Sequence, residues 1–142
     1  MLEFLRFLFP EDTPIQGRWE RIGDRFAGCT IEVEPEKNGT THLRGRIVAL
    51  PAAMSTAGWI VGDIKWHDIR PAGKGIWQLN DLRKHFETQT GRVIKVDFQA
   101  YHATIAQGGT LRLHTGGLPF FPDQTWIRQT EPEDPTHTHP SL

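Results

Sequence analysis

Apolar and polar residues alternate with a period of two through most of the chain between residues 17 and 129. In the segment CTIEVE, for example, Cys29, Ile31 and Val33 alternate with polar or charged neighbours. This period is typical of β-strands with one buried face, because successive side chains of a strand point to opposite sides. The alternation therefore predicts an all-β protein.

Turn-forming residues separate the alternating segments at regular intervals. Asn38-Gly39 is a strong hairpin signal, and the glycine-containing stretches at 72–75 and 107–109 mark two further turns. About eight short strands result, a number and spacing typical of a sandwich or an antiparallel barrel. We expect an antiparallel up-and-down barrel, because a closed barrel leaves no exposed edge strand. A sandwich or a half-open barrel is the alternative.

Both ends of the chain differ from this β pattern. Residues 2–9 are rich in Leu and Phe and fit a short N-terminal helix, which needs a docking surface because two turns of helix are unstable alone. Three docking surfaces stay open for this helix: its own domain, a partner protein or a membrane surface. Residues 130–142 contain three prolines and almost no apolar side chain, which predicts a disordered tail. The expected organisation is one barrel domain over residues 1–129, followed by that tail.

The longest alternating segment, at residues 92–106, has one face that is clearly more apolar than the other. We expect this face to point into the barrel, since the burial of apolar surface drives folding. Its members are Ile94, Val96, Phe98, Ala100, His102 and Thr104. His102 is then an interior residue.

The two preceding segments each place a tryptophan and a carboxylate on one face. Trp66 and Asp68 lie on the apolar side of their segment, opposite Lys65. Trp77 and Asp81 lie on the more apolar side of theirs, although apolar residues on its other face leave that strand ambiguous. These residues are also expected to point inward.

Five residues therefore form the predicted ligand-binding set: Trp66, Asp68, Trp77, Asp81 and His102. Inward polar side chains are costly unless they are paired, so each needs an explanation. The tryptophans could stack on a planar ligand, and the polar groups could orient it. Two other interpretations stay open: His102 is a structural hydrogen-bonding residue, or it is a general base whose tautomer Asp68 fixes.

Composition and charge give no support to nucleic-acid binding and limit the sites that cysteine can form. The 16 basic and 17 acidic residues give a formal net charge of −1, which offers no general attraction for nucleic acid. A single cysteine, Cys29, excludes an intrachain disulfide and a Cys-based zinc site, and its apolar context predicts a buried thiol. The tail sequence HTH at 137–139 lacks fixed geometry, so we expect no metal there. The sequence does not identify a cofactor. Haem bound through His102 in an apolar barrel stays open as an alternative, for which a lone histidine is weak evidence.

The first ten residues do not fit a secretory signal, because Glu3 and Arg6 interrupt the apolar run. No stretch approaches the ~20 consecutive apolar residues of a membrane-spanning helix. We therefore expect a cytoplasmic protein without a membrane span.

Two motifs at opposite ends of the β region, Gly17-x-Trp19 and Trp126-x-Arg128, resemble the calycin pattern of lipocalins and fatty-acid-binding proteins. The resemblance implies that the first and last strands meet where the barrel closes, with Arg128 packed over Trp19. The chain departs from secreted lipocalins in lacking a disulfide pair and a signal. It departs from fatty-acid-binding proteins in lacking their helical lid, since only residues 23–28 stand in that place.

The resemblance implies a small-molecule-binding barrel that holds an apolar or aromatic ligand. The alternative is a protein-interaction module without enzymatic activity, which uses the N-terminal helix or the loop at 116–123 with its LPFF sequence. An enzyme that uses His102 and Asp68 is a third hypothesis. An open cavity larger than ~300 Å³ would favour ligand binding.

Overall fold

A computed structural model describes residues 14–37, 42–106, 109–115 and 122–129. The predicted helix at 2–9 and the predicted disordered tail at 130–142 lie outside the described residues. Most of the loop at 116–123 also lies outside them.

Eight antiparallel strands form a closed barrel in which each strand pairs with the next and the last pairs with the first. The all-β closed barrel predicted from the alternation is thus confirmed. The strands are β1 (Gly17–Ile22), β2 (Thr30–Pro35), β3 (Leu43–Ala49), β4 (Ile64–Gly73), β5 (Ile76–Phe86), β6 (Val93–Ala106), β7 (Thr110–His114) and β8 (Gln124–Gln129). One short helix, α1 (Ala52–Thr56), lies between β3 and β4 and buries Met54.

Strands β1 and β8 pair along their lengths and close the barrel. We call the end of the barrel at which Arg128 lies the closed end. The Arg128 guanidinium lies 4.2 Å from the centroid of the Trp19 ring, the contact that the two end motifs imply. Arg128 also donates hydrogen bonds to the backbone carbonyls of Gln16 at 2.8 Å and Pro14 at 2.7 Å. The guanidinium therefore ties the segment before β1 to the last strand. The Trp19 indole N–H donates to the Ile15 carbonyl at 2.8 Å and fixes the same segment from inside.

Gly17 is required by this closure. Its φ of +120° is one that residues with a side chain rarely adopt, and a Cβ there would lie 2.8 Å from Nη1 of Arg128. A glycine thus lets the guanidinium approach the backbone of β1. The Gly-x-Trp motif has a physical reason: the glycine makes room for the cation, and the tryptophan offers it a ring face.

Large aromatic side chains fill the middle of the barrel. Trp19, Trp66 and Trp126 are fully buried, and the last two rings meet edge to face with centroids 4.8 Å apart. Gly45 on β3 accommodates Trp66, since a Cβ at this position would lie 2.8 Å from Trp66 Cβ. The interior near these rings is packed core. Among the described residues, interior space for a ligand lies towards the other end, which we call the open end, where residues 23–29, 50–63 and 87–92 connect the strands.

The predicted orientation of β6 is wrong. Tyr101 and Ala103 are buried, whereas His102 is exposed and Val96 and Phe98 are each 54% exposed. The prediction assumed that the more apolar face of a strand lies inside. Strand β6 pairs with β7 only from His102 onward, so its first half has no neighbouring strand on that side among the described residues. The apolar residues of that half therefore do not indicate which face of β6 points into the barrel.

The predicted orientation of Asp68 and Lys65 is also wrong, because β4 is irregular. The pairing of β3 with β4 sets Gly45 and Arg46 opposite Trp66 and Ile64, so that Lys65 is an extra residue and is buried beside Trp66. A second register shift follows His67, and Asp68 is exposed with a φ of 52°. Each irregularity breaks the period of two on which the prediction depended.

Candidate functional site at the open end of the barrel

A pocket of about 310 Å³ lies at the open end, above the tryptophan core. It is bounded by β1, β4, β5, β6 and β8 and by the loops that join β1 to β2 and β3 to β4. We call it the open-end pocket. Its lining residues are Arg21, Arg25, Phe26, Ala57, Trp59, Lys65, Asp81, Arg83, Lys84, His85, Phe86, Tyr101 and Gln124.

A buried ion pair forms the floor of this pocket. Lys65 Nζ lies 2.9 Å from Asp81 Oδ1, and their side chains are only 6% and 3% exposed. The ammonium group also donates to the Leu82 carbonyl at 3.0 Å and lies 4.5 Å from the centroid of the Trp59 ring. Burying either charge alone would be costly, so each side chain depends on the other. The irregularity in β4 is what brings the lysine inside.

Neutral polar groups extend this floor across the barrel. Gln124 Nε2 donates to Asp81 Oδ2 at 3.4 Å and to the Tyr101 hydroxyl oxygen at 3.3 Å. Gln124 Oε1 accepts from the indole N–H of Trp126 at 3.0 Å, which fixes the amide orientation. Because Tyr101 accepts from Gln124, its own O–H proton is available to donate into the pocket.

Burial, followed by the negative charge of Asp81, raises the pKa of Tyr101 above its usual value of 10.0. The phenol therefore stays protonated at neutral pH. It is a hydrogen-bond donor for a ligand rather than a negative charge.

Basic side chains dominate the wall of the pocket. Five of its lining residues are cationic at neutral pH, against one carboxylate: Arg21, Arg25, Lys65, Arg83 and Lys84 face only Asp81. Several of these cations also pair with carboxylates outside the lining. The pairs are Arg21 with Asp24 at 2.9 Å, Arg83 with Asp97 at 3.0 Å and Lys84 with Asp63 at 2.9 Å. Each of these carboxylates orients a basic group from outside the lining and offsets part of its charge. The lining is therefore rich in cationic hydrogen-bond donors, although its net positive charge is smaller than the number of basic residues implies.

Two aromatic rings accompany the basic groups. Trp59 is 5% exposed, and Lys84 Nζ lies 4.6 Å from its ring centroid. Phe26 lies beneath Arg25, whose guanidinium is 4.6 Å from the ring centroid. The rings give the pocket apolar contact area and hold the cations in place. The pocket can therefore accept a molecule that combines an anionic group with an apolar or planar body.

Cys29 lies close to this charged floor but is chemically inert. Its side chain is fully buried, and burial raises its pKa from 9.0 to about 11 despite the opposing effect of Lys65 and Arg21. The thiolate is the nucleophilic form, and it is scarce at neutral pH. Cys29 therefore acts as a small core residue.

The five predicted ligand-binding residues do not line one pocket, although Trp66 lies directly opposite Asp81 in the pairing of β4 with β5. Asp81 lines the open-end pocket, whereas Trp66 belongs to the packed core and Trp77 is half-buried at the start of β5. Asp68 and His102 are exposed and line a different, smaller pocket of about 260 Å³ on the outside of the sheet. A ligand-binding role for these residues stays a prediction.

The outer pocket is built from outward-facing side chains of β4, β5 and β6. Asp68 accepts a hydrogen bond from Asn80 Nδ2 at 3.3 Å, and Arg70 and Gln78 lie nearby in the lining. This arrangement gives Asp68 an amide partner and does not orient an imidazole for general-base catalysis.

Of the residues that line the open-end pocket, sequence reasoning found only Asp81. Four of the missed residues matter most for its chemistry, and three of these carried a usable signal. Arg21 is two residues from Trp19, and Gln124 is two residues from Trp126, so each shares a face with a core tryptophan. Tyr101 lies on the face of β6 that the alternation predicts to be the outer one, but the structure buries it. No feature of the sequence indicates that Lys65 points inward, because the alternation does not show that β4 contains an extra residue at this position.

Comparison with known proteins identifies no family: no family model, no curated protein and no solved structure matches the chain. Within the described residues, no cluster of three or more His, Cys, Asp or Glu side chains is placed to hold a metal ion. No helix in the described part of the chain has the length and apolar character needed to cross a membrane. The geometry of the barrel is therefore the basis for any functional proposal.

Proposed function

We propose that this protein is a calycin-like barrel that binds a small molecule in the open-end pocket, and that the ligand carries an anionic group on an apolar or aromatic body. One observation carries the proposal: five basic residues and one carboxylate line a pocket at the open end of a closed barrel. A pocket of this kind attracts anions, and its low-dielectric walls strengthen the attraction.

The closed end supports the calycin-like assignment. The guanidinium of Arg128 packs on Trp19 and binds the carbonyls of the segment before β1, as the calycin pattern implies. Among the described residues, these contacts occupy the closed end, so we place the entrance for a ligand at the other end.

The size of the pocket limits the ligand. At about 310 Å³ it lies at the small end of the usual range for ligand sites, roughly 300–1,000 Å³. The tryptophan core prevents a long chain from reaching deeper. We therefore propose a compact molecule of one or two rings rather than an extended lipid. Its anionic group would accept hydrogen bonds from Arg21 and from the Tyr101 hydroxyl, and its rings would contact Phe26 and Trp59.

A matched pair of fluorescent probes tests this proposal. Anilinonaphthalene sulfonate and N-phenylnaphthylamine share an aromatic skeleton, but only the first is an anion. We expect the sulfonate to bind at least about tenfold more tightly, since one charge-assisted contact contributes roughly 1.5–3 kcal/mol. Equal affinity for the two probes, or no binding of either, would contradict the proposal.

Variants of the pocket locate the binding site. Arg83→Gln should weaken sulfonate binding about tenfold and leave the neutral probe unaffected, because it removes one pocket cation. Arg83 is 45% exposed at its side chain, so this change is compatible with folding. The matched control is Arg112→Gln on the outer face of β7, which should change neither affinity.

The alternative function, a protein-interaction module, depends on the helix at 2–9 or on the loop at 116–123. Only residues 122 and 123 of these two segments belong to the described part of the chain. The small-molecule proposal depends on described residues alone.

A further inference from the structure

Apolar side chains are exposed along the first half of β6. Ile94 is 64% exposed, and Val96 and Phe98 are each 54% exposed. An exposed apolar row on a strand marks an interaction site, since soluble proteins rarely leave such surface uncovered.

The same half of β6 has a backbone edge that no strand of the described residues covers. Strand β5 pairs with β6 along its whole length, but β7 pairs with β6 only between His102 and Ala106. On that second side, among the described residues, no strand is hydrogen-bonded to Val93–Tyr101. We call this stretch the β6 edge. Unpaired N–H and C=O groups on an apolar strand are a template for a further strand.

We infer that a second copy of this chain pairs with the β6 edge, strand to strand and antiparallel, about a twofold axis that passes beside Val96. In this register Val96 lies opposite Val96 of the second copy. Ile94 then lies opposite Phe98, and Lys95 opposite Asp97, in both directions. The apolar rows of the two copies become one continuous surface.

Charge selects this register over its neighbours. A shift of the axis to Lys95 or to Asp97 would place like charges directly opposite each other, which is destabilising. Lys95 is 67% exposed at its side chain and lies 4.0 Å from Asp97 of its own chain, so it can reach across. Asp97 also contacts Arg83 at 3.0 Å and His85 at 3.2 Å, and these two side chains hold it in place.

Twofold symmetry would also limit the assembly to two copies. The β6 edge of each copy is used up by the other copy, so the assembly closes as a dimer. The pairing uses the outer side of β6 and is independent of any ligand in the open-end pocket. If an experiment contradicts one of the two proposals, the other is unaffected.

Disulfide cross-linking tests the register. Directly opposite residues of an antiparallel pair have Cα atoms about 4.5–5.5 Å apart, a separation that a disulfide can span. Val96→Cys should therefore form a covalent dimer under mild oxidation. Ile94→Cys and Phe98→Cys should each stay monomeric in denaturing gels alone but cross-link when mixed. Cys29 is buried and does not contribute a competing bridge.

Sedimentation equilibrium of the unmodified full chain tests the association itself. We expect a dimer whose dissociation constant rises at least about tenfold in Val96→Lys, because two lysines would face each other across the axis. Ile127→Lys is the control, since Ile127 is exposed on the outer face of β8, and it should leave the dimer unchanged.

Two outcomes would overturn the inference. One is a monomeric full chain together with Val96→Cys that fails to cross-link. The other is a monomer in which the amides of residues 94–98 are protected from hydrogen exchange, because the chain itself would then cover the edge. Cross-linking of Val96→Cys with the expected pattern at 94 and 98, and a dimer sensitive to Val96→Lys, would establish it.

Discussion

The closure of the barrel at Arg128 predicts a stability loss that can be derived from the structure. In Arg128→Ala the chain loses a guanidinium 4.2 Å from the Trp19 ring centroid and two hydrogen bonds of 2.8 and 2.7 Å to backbone carbonyls. The ring contact contributes about 0.5–2 kcal/mol. Each charge-assisted hydrogen bond contributes about 1.5 kcal/mol or less here, because solvent reaches this site.

The expected cost is therefore roughly 2–4 kcal/mol in the free energy of unfolding. For a chain of 142 residues this corresponds to a midpoint of thermal unfolding lowered by very roughly 6–15 °C. Urea unfolding followed by tryptophan fluorescence measures the free energy directly, and Trp19 itself reports on the closed end. Arg112→Ala is the matched control: Arg112 is exposed on β7, and its removal should change stability by less than about 0.5 kcal/mol.

An equal change in the free energy of unfolding in Arg128→Ala and Arg112→Ala would contradict this role of Arg128. Arg128→Lys separates the contributions, since lysine keeps the charge but not the two parallel donors. We expect it to recover part of the stability, through the cation–π contact. A lysine variant no better than alanine would show that the paired hydrogen bonds account for the whole effect.

Three further predictions concern the closed end and the pocket floor. Gly17→Ala should cost about 1–3 kcal/mol in urea unfolding, because its φ of +120° is strained for alanine and the new Cβ would lie 2.8 Å from Nη1 of Arg128. Lys65→Met should cost about 3–5 kcal/mol by leaving Asp81 buried and uncompensated, and Asp81→Leu added to it should recover much of that loss; equal stability of the single and double variants would contradict this. The pKa of Cys29 is raised by burial from 9.0 to about 11, so folding favours the protonated thiol. Stability should therefore fall as pH rises between these two values, and a thiol reagent should label Cys29 at neutral pH only as fast as the protein unfolds.

The barrel could be predicted from the sequence because its signals are local. Hairpin turns and period-two alternation recur along the chain, and each depends on neighbouring residues only. The closure was predictable for a different reason: Gly17, Trp19 and Arg128 form a contact whose parts are recognisable far apart in the sequence. Their roles in the structure follow from sterics and from cation–π attraction.

The pocket could not be predicted in the same way, because its lining depends on the positions where strands depart from the period of two. The extra residue in β4 turns Lys65 inward, and the shift after His67 turns Asp68 outward. Strand β6 extends past its pairing with β7, so Val96 and Phe98 are apolar without being interior. Bulges and overhanging strands are set by tertiary pairing, which the period of a single strand does not contain.

The most direct test of the central proposal is a heteronuclear NMR titration of the full chain with anilinonaphthalene sulfonate. If the ligand enters the open-end pocket, saturable shift changes should be concentrated at Arg21, Phe26, Trp59 and Tyr101, and in the side-chain amide of Gln124. Changes confined to the outer pocket around Asp68 and His102, or no saturable changes at all, would contradict the account.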